Sequence, residues 1–221
     1  MRYFNNPEAF MKLMASMQSG IVATLTIFFA TLVFSIPLGM VIALLRMNRR
    51  RIISVPVSLY ILVMRGTPLM LQMWVVFFGI PKLIPIGSNW RYLAAVIAFI
   101  INYAAYFAEI YRSGIESIPA GQYEAAEVLG YGKAQTFFKI ILPQVVKIIL
   151  PSVTNEVITL VKDTSLCYAI GLVEMFTRAK QIATSTSTLT SFVVAGVMYY
   201  IFNFVVAWIM ERCEKRLSYF H

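Results

Sequence analysis

The sequence predicts an all-α, polytopic membrane protein with about five transmembrane helices, and three observations lead there. The first is composition: of 221 residues, 59% are hydrophobic and only 13% charged, where soluble domains run nearer half and a quarter. The second is the length of the uncharged runs. No charge interrupts the chain between Leu13 and Leu45, although one spanning helix needs only about 20 apolar residues. The third is the placement of charge, because the basic residues behind the net +9 cluster between apolar runs, as they do in cytoplasmic loops. This balance excludes an ordinary soluble fold, a disordered chain and a nucleic-acid-binding surface. With two cysteines, Cys167 and Cys213, it also excludes a disulfide-built scaffold, and both thiols read as free.

The first span falls near 19–45, after a short separate helix carrying Met11, Leu13, Met14 and Met17 at helical spacing. Those methionines read as packing. This apolar stretch is far longer than a signal-peptide core, and no small-residue cleavage pattern follows it. The block Arg46-Met47-Asn48-Arg49-Arg50-Arg51 then marks the cytoplasmic side. Residues 52–64 make an apolar run of about 20 Å as a helix, too short for a ~30 Å membrane core. Arg65-Gly66-Thr67-Pro68 breaks it, so 52–64 is expected as an interfacial or re-entrant helix and 66–81 as the outward crossing.

An external loop at 82–91 leads to an inward span at 92–108, closed by Glu109 and Arg112 as a pair at the inner boundary. Residues 114–147 carry Pro119, Gly121, Gly130 and Gly132 among many charges and are expected as the largest cytoplasmic loop. A fourth span starts near 148 and carries Glu156, Lys162 and Asp163. A polar external segment with Glu174, Arg178 and Lys180 precedes the last span, 190–210, and a basic tail. Trp74, Trp90 and Trp208 suit interfacial or lipid-facing positions.

Counting bases places Arg46, Arg49, Arg50, Arg51, Arg65, Arg112, Lys133, Lys139, Lys147, Arg212, Lys215 and Arg216 inside. Only Arg2, Lys12, Lys82, Arg91, Arg178 and Lys180 fall outside, which puts the N-terminus outside and the C-terminus in the cytoplasm.

No enzymatic constellation is present. The single histidine is His221, the last residue, so histidine-based metal ligation and acid–base catalysis have no candidate. No Gly-rich phosphate loop runs into Lys-Ser or Lys-Thr. The chain is expected to bind no cofactor and to hydrolyse no nucleotide itself.

Gln122-Tyr123-Glu124-Ala125-Ala126-Glu127-Val128-Leu129-Gly130 stands out, followed by Ile140-Ile141-Leu142-Pro143. This resembles the cytoplasmic signature of ATP-binding-cassette importer permeases: Glu-Ala-Ala, three residues, Gly, nine residues, Ile, one residue, Leu-Pro. Arg65-Gly66-Thr67-Pro68-Leu69, 105–109, 117–122 and 160–166 resemble the polar amino acid branch of that family, for histidine, glutamine, arginine or cystine. The resemblance covers about 19–211 of a single transmembrane domain that fills 1–221. It implies a type I (MetI-like) importer permease fold in a bacterial cytoplasmic membrane, with 114–147 as the coupling loop. It also implies two ATPase subunits carrying ATP and Mg, an extracytoplasmic binding protein, and a second permease copy, identical or paralogous. Gln122, Glu124, Ala125, Ala126, Gly130, Leu142 and Pro143 are then the ATPase-coupling residues. Glu124 would offer its carboxylate to a basic residue of the ATPase, and Gly130 permits the turn after a short helix.

The intramembrane charges carry their own reading. Glu156 and Asp163 stand two turns and about 11 Å apart on one helix face. Charges in a span are costly and mark functional sites by default. Two carboxylates on a cavity wall favour the positive groups of a basic or zwitterionic amino acid, and Lys162, turned about 100° from Asp163, would either pair elsewhere or meet a substrate carboxylate. The bland alternative is an interhelical salt bridge. Thr67, Gln72 and Asn102 are the remaining candidates for substrate contact, against a packing kink for the first two and helix bridging for Asn102 and Asn155. Thr164 and Ser165 suit bonds to their own helix. The rival class is an ion-gradient-driven carrier or channel using the same carboxylates, which leaves the Glu-Ala-Ala segment without a role.

Overall fold

The computed structural model describes residues 7–217; Arg2 and His221, named above, lie outside them. Among the described residues every regular element is helical. Four helical stretches are long and apolar enough to cross a membrane: Pro7–Arg46, Trp90–Glu116, Lys133–Ile170 and Thr190–Leu217. The pair Arg51–Gly66 and Leu69–Lys82, bent by 111°, makes a fifth when taken as one span.

Helix α1, Pro7–Arg46, runs unbroken for 40 residues, so the separate methionine helix expected before the first span does not exist. Nothing in 15–19 stops a helix, because Ser16 bonds back to the Leu13 carbonyl at 2.7 Å. Met17 is fully buried whereas Met11 is 67% exposed. The buried face of α1 includes Gly20, Thr24, Thr31, Ser35, Gly39 and Ala43. It meets an alanine-rich face of α4, Trp90–Glu116, including Ala94, Ala95, Ala98, Ala104, Ala105 and Ala108. Small residues let two backbones approach where lipid supplies no hydrophobic drive. Gly39 shows how close they come: a Cβ there would stand 2.7 Å from the Phe107 Cβ and 3.1 Å from the Ala104 carbonyl. Gly39→Val is therefore expected to lower the unfolding midpoint by about 5 °C, the shift for an overpacking cost of ~2 kcal/mol in a chain of this size. A thermal scan of the purified protein measures it, and an unchanged midpoint would refute the close-packed contact.

Helix α2, Arg51–Gly66, and helix α3, Leu69–Gly79, flank the expected break; a 3-10 turn, Ile80–Lys82, ends the pair. Pro68 has no N–H to continue α2, and its ring disfavours helical backbone at Thr67, whose ψ is 149°.

The stretch expected as the largest cytoplasmic loop contains the expected short helix, and most of the rest of it is helical too. Helix α5, Ala120–Val128, ends at Gly130, whose φ of +78° suits a residue without a Cβ. Helix α6, Lys133–Gln135, passes into a π-helical turn, Thr136–Ile141, and then into α7, Leu142–Asp163. The fourth span thus begins before residue 148, inside a charged stretch, because it extends past any apolar core. A 3-10 segment, Thr164–Ile170, continues it, with Thr164 and Ser165 bonding back to Val161 and Lys162.

The polar segment before the last span is helix α8, Met175–Thr186, and α9, Thr190–Leu217, closes the described chain. Glu174, in the segment expected to be polar and external, is fully buried. Its carboxylate caps α8, accepting from the backbone N–H groups of Phe176 and Thr177 at 2.6 and 2.7 Å and from the Tyr199 hydroxyl at 3.0 Å. Burial pushes its carboxyl above the usual range against those bonds.

Candidate functional site

Three elements meet at one cleft. The α2–α3 break supplies Thr67, Pro68 and Leu69, α4 supplies Asn102, Tyr103 and Tyr106, and α7 supplies Glu156, Thr159 and Asp163. Leu166 closes the lining of a space of about 400 Å³. Both predicted carboxylates therefore face the same cavity, since seven residues bring a side chain back to one helix face. Neither forms an ion pair with a basic side chain among the described residues. The bland salt-bridge alternative finds no partner there. Asp163 Oδ2 instead accepts from the Tyr103 hydroxyl at 2.8 Å. A half-buried carboxylate oriented by one neutral donor keeps acceptor capacity for a cationic guest.

The break is held open by amides. Gln72 Nε2 donates to the Met64 carbonyl at 2.9 Å and to Thr67 Oγ1 at 2.8 Å. Asn102 Nδ2 donates to the same Met64 carbonyl at 3.0 Å and to Gln72 Oε1 at 2.9 Å. Carbonyls freed by a broken helix need such partners. Gln72 lies outside the cleft lining and acts on the backbone of the break. Asn102 and Thr67 line the cleft, but Thr67 Oγ1 donates to the Val63 carbonyl at 2.8 Å. Lys162 is exposed and lies outside the cleft lining. Tyr103, Tyr106 and Thr159 are cleft residues that the sequence does not single out: an aromatic or a threonine in an apolar run looks like packing.

Glu109 and Arg112 pair as expected, through Arg112 Nη2 to Glu109 Oε1 at 2.5 Å and Arg112 Nε to Oε2 at 3.1 Å, and Arg112 also binds Glu116. Trp74 and Trp90 are anchored through their indole N–H groups to the Ala169 and Phe77 carbonyls. Trp208 lies under the Arg212 guanidinium, 4.5 Å from its ring centre. Cys167 is buried and free, Cys213 exposed and free.

A second site surrounds α5. Gln122, Glu124 and Ala125 are exposed, and Val128 and Leu129 are 88% and 73% exposed. Ala126 departs from the expected docking set: it is 1% exposed and seats α5 on its own chain, because the helix rotates it to the inner face. Leu142 is half-buried, whereas Pro143 lines a groove of about 550 Å³ with Gln122, Lys139, Gln144 and Lys147. Both ends of the Glu-Ala-Ala motif thus border one surface.

Comparison with known proteins agrees with this architecture. The family described as binding-protein-dependent transport system inner membrane component matches residues 35–219. The octopine transport system permease protein OccM of Rhizobium radiobacter is 39% identical over 197 residues, covering 84% of this chain and 80% of that protein. The arginine transport system permease protein ArtQ of Bacillus subtilis is 36% identical over 200 residues, covering 90% of this chain and 91% of its own length. The crystal structure of an amino acid ABC transporter with histidines superposes with a TM-score of 0.85 at 30% identity, over 94% of this chain and 97% of that one. The MetNI methionine ABC transporter shares the fold, with a TM-score of 0.74 at 20% identity over 93% and 98% of the two chains. With a match of that extent and a fold that agrees along its length, this chain belongs to the family of binding-protein-dependent transport system inner membrane components.

Proposed function

We propose that this chain is the permease subunit of an ATP-driven importer of polar amino acids, basic or zwitterionic. The observation that carries the reading is the cleft, where Glu156 and Asp163 face one space without basic partners. An ammonium or guanidinium entering it replaces water around both carboxylates and gains two charge-assisted contacts. Relatives named for arginine, octopine and cystine support the substrate class.

In this reading the N-terminus is outside, and α5 and the C-terminus face the cytoplasm. The exposed α5 docks in a groove of an ATPase subunit, which holds the ATP and Mg; this chain supplies none of the nucleotide chemistry. Helix runs continuously from Lys133 to Ile170, so Lys139 and Pro143, which line the groove beside α5, and both cleft carboxylates belong to one rod. Closure of two ATPase subunits against α5 would tilt that rod and switch the cleft between outside and inside.

A second copy of the chain completes the complex. On α7, Asn155 and Lys162 are exposed outside both cavities and alternate with the cavity-lining Ser152 and Thr159 at spacings of three, four and three residues, so the polar stripe continues past the cavities onto the open face. Lipid is a poor neighbour for such a stripe, whereas the same stripe on a second permease can satisfy it. An extracytoplasmic binding protein would deliver the substrate.

The test is reconstitution in liposomes with the cognate ATPase and binding protein, followed by uptake of labelled arginine, histidine, glutamine and cystine. ATP-dependent accumulation of at least one, by a complex whose mass corresponds to two permease and two ATPase chains, is expected. Uptake that persists without the ATPase and follows an ion gradient would overturn the reading in favour of a carrier.

A further inference from the structure

Below the cleft, a second polar cavity of about 370 Å³ follows along the same two helices. On α4 the lining passes from Tyr103 and Tyr106 in the cleft to Glu109, Ser113 and Ser117 in the second cavity. On α7, which runs the other way, it passes from Asp163 and Glu156 to Ser152 and Ile149. The two spaces are thus consecutive, the second toward the Glu116 end of α4. Arg65, the penultimate residue of α2, stands where they meet. It lines the second cavity, and its guanidinium carbon lies 5.4 Å from the ring centre of Tyr106, which lines the cleft.

The guanidinium is poorly engaged by its own protein. Its nearest carboxylate, Glu109, stands 3.9 Å away, at the limit of an ion pair. That carboxylate is already taken by Arg112 at 2.5 and 3.1 Å. The Arg65 side chain makes no hydrogen bond among the described residues and is 43% exposed. Its five donors, arranged in a fork that matches a carboxylate, are free to engage a guest. The cleft itself presents two carboxylates, which suit the cationic part of an amino acid and repel its α-carboxylate.

We propose that Arg65 is a specificity-determining residue that receives the α-carboxylate of the substrate as it leaves the cleft toward the second cavity. The inference rests on the amino acid importer reading above. Glu156 and Asp163 hold the positive end of the zwitterion. Arg65, kept over Tyr106, holds the negative end in a two-point grip. Release follows when the carboxylate exchanges Arg65 for water in the serine-lined space below. An amine lacking the carboxylate meets only half of this site.

The experiment bypasses the binding protein, which makes its own selection. Labelled arginine or histidine is bound to the permease–ATPase complex in nanodiscs and displaced by the same amino acid or by its decarboxylated amine, agmatine or histamine. The wild type is expected to favour the amino acid over the amine by about tenfold or more, the effect of one charge-assisted bidentate pair. Arg65→Gln is expected to bring that ratio to within about twofold, and Arg65→Lys, which keeps the charge without the fork, to an intermediate value. Co-purification of the ATPase with each variant confirms that the complex assembles, and the amino acid is expected to lose affinity relative to the amine, which makes no contact with Arg65. A wild-type ratio preserved in Arg65→Gln overturns the inference while leaving the importer reading intact. Failure of the wild-type complex to accumulate any amino acid with ATP would instead sink the importer reading.

Discussion

Asp163→Ala is expected to weaken substrate binding to the permease–ATPase complex by roughly 30- to 150-fold, the loss of about 2–3 kcal/mol for a contact to a charged group. The carboxylate sits half-buried on the cleft wall with one neutral donor, the Tyr103 hydroxyl at 2.8 Å. Removing it therefore deletes a negative charge that no other side chain of the cleft duplicates at that end. Truncation also strands the Tyr103 hydroxyl, so the informative companion is Asp163→Asn, whose side-chain carbonyl still accepts that bond. The asparagine variant is expected to fold like the wild type and to bind nearly as poorly as the alanine variant. Tyr103→Phe keeps the charge and loses only its orientation, for which about fivefold is expected, the effect of one neutral hydrogen bond. Equilibrium binding of labelled arginine and histidine measures all three. An asparagine variant within twofold of wild type would show that the charge of Asp163 does not hold the substrate.

Glu124→Lys should act on α5, the short helix that precedes the rod carrying the cleft carboxylates. Glu124 is exposed on α5 and makes no ion pair among the described residues, so its substitution leaves the permease fold intact. In the coupling role it offers a carboxylate to a basic residue of the ATPase, and a lysine there sets like charges against each other, at a cost of several kcal/mol. Association with the ATPase is expected to weaken by roughly 100-fold or more. ATP-driven uptake should fall in parallel, while the substrate affinity of the permease stays within error of wild type. Co-purification at varied ATPase concentration, together with uptake, reads both. Undiminished association would remove Glu124 from the interface. Loss of substrate affinity with intact association would place its effect on the fold.

Much of this architecture is legible in the sequence because its signals are local. The uncharged runs announce α1, α4 and α9, and a mostly apolar run with embedded charges announces α7. Gly66 and Pro68 announce the break between α2 and α3, and Gly130 the stop after α5, since each acts on its own backbone. Glu156 and Asp163 share a cleft because a seven-residue spacing already places them on one face. The misreadings share a different cause. The charged, Gly- and Pro-bearing stretch 114–147 hides how far α4 and α7 reach toward each other, because a helix carries any charge where it runs beyond the apolar core. Glu174 looks exposed because a glutamate usually is; three donors from α8 and one from α9 make its burial tolerable. Ala126 reads as part of a docking face alongside Ala125, and only the rotation of α5 turns one inward and the other out.

By itself, then, the sequence determined the order of the membrane spans, the site of the break, the surface helix at the Glu-Ala-Ala segment and the pairing of two carboxylates on one face. What faces those carboxylates was decided by the tertiary structure alone. The Tyr103 hydroxyl that orients Asp163 lies 60 positions away, and the amide that supports Met64 comes from Asn102, 38 away. The same holds for Arg65 above Tyr106 at the mouth of the inner cavity. The physical reason is that apolar helices in a membrane carry little polarity to say which side faces inward. Their rotation is set by close contacts between small residues, as at Gly39, and those contacts exist only once the helices are packed.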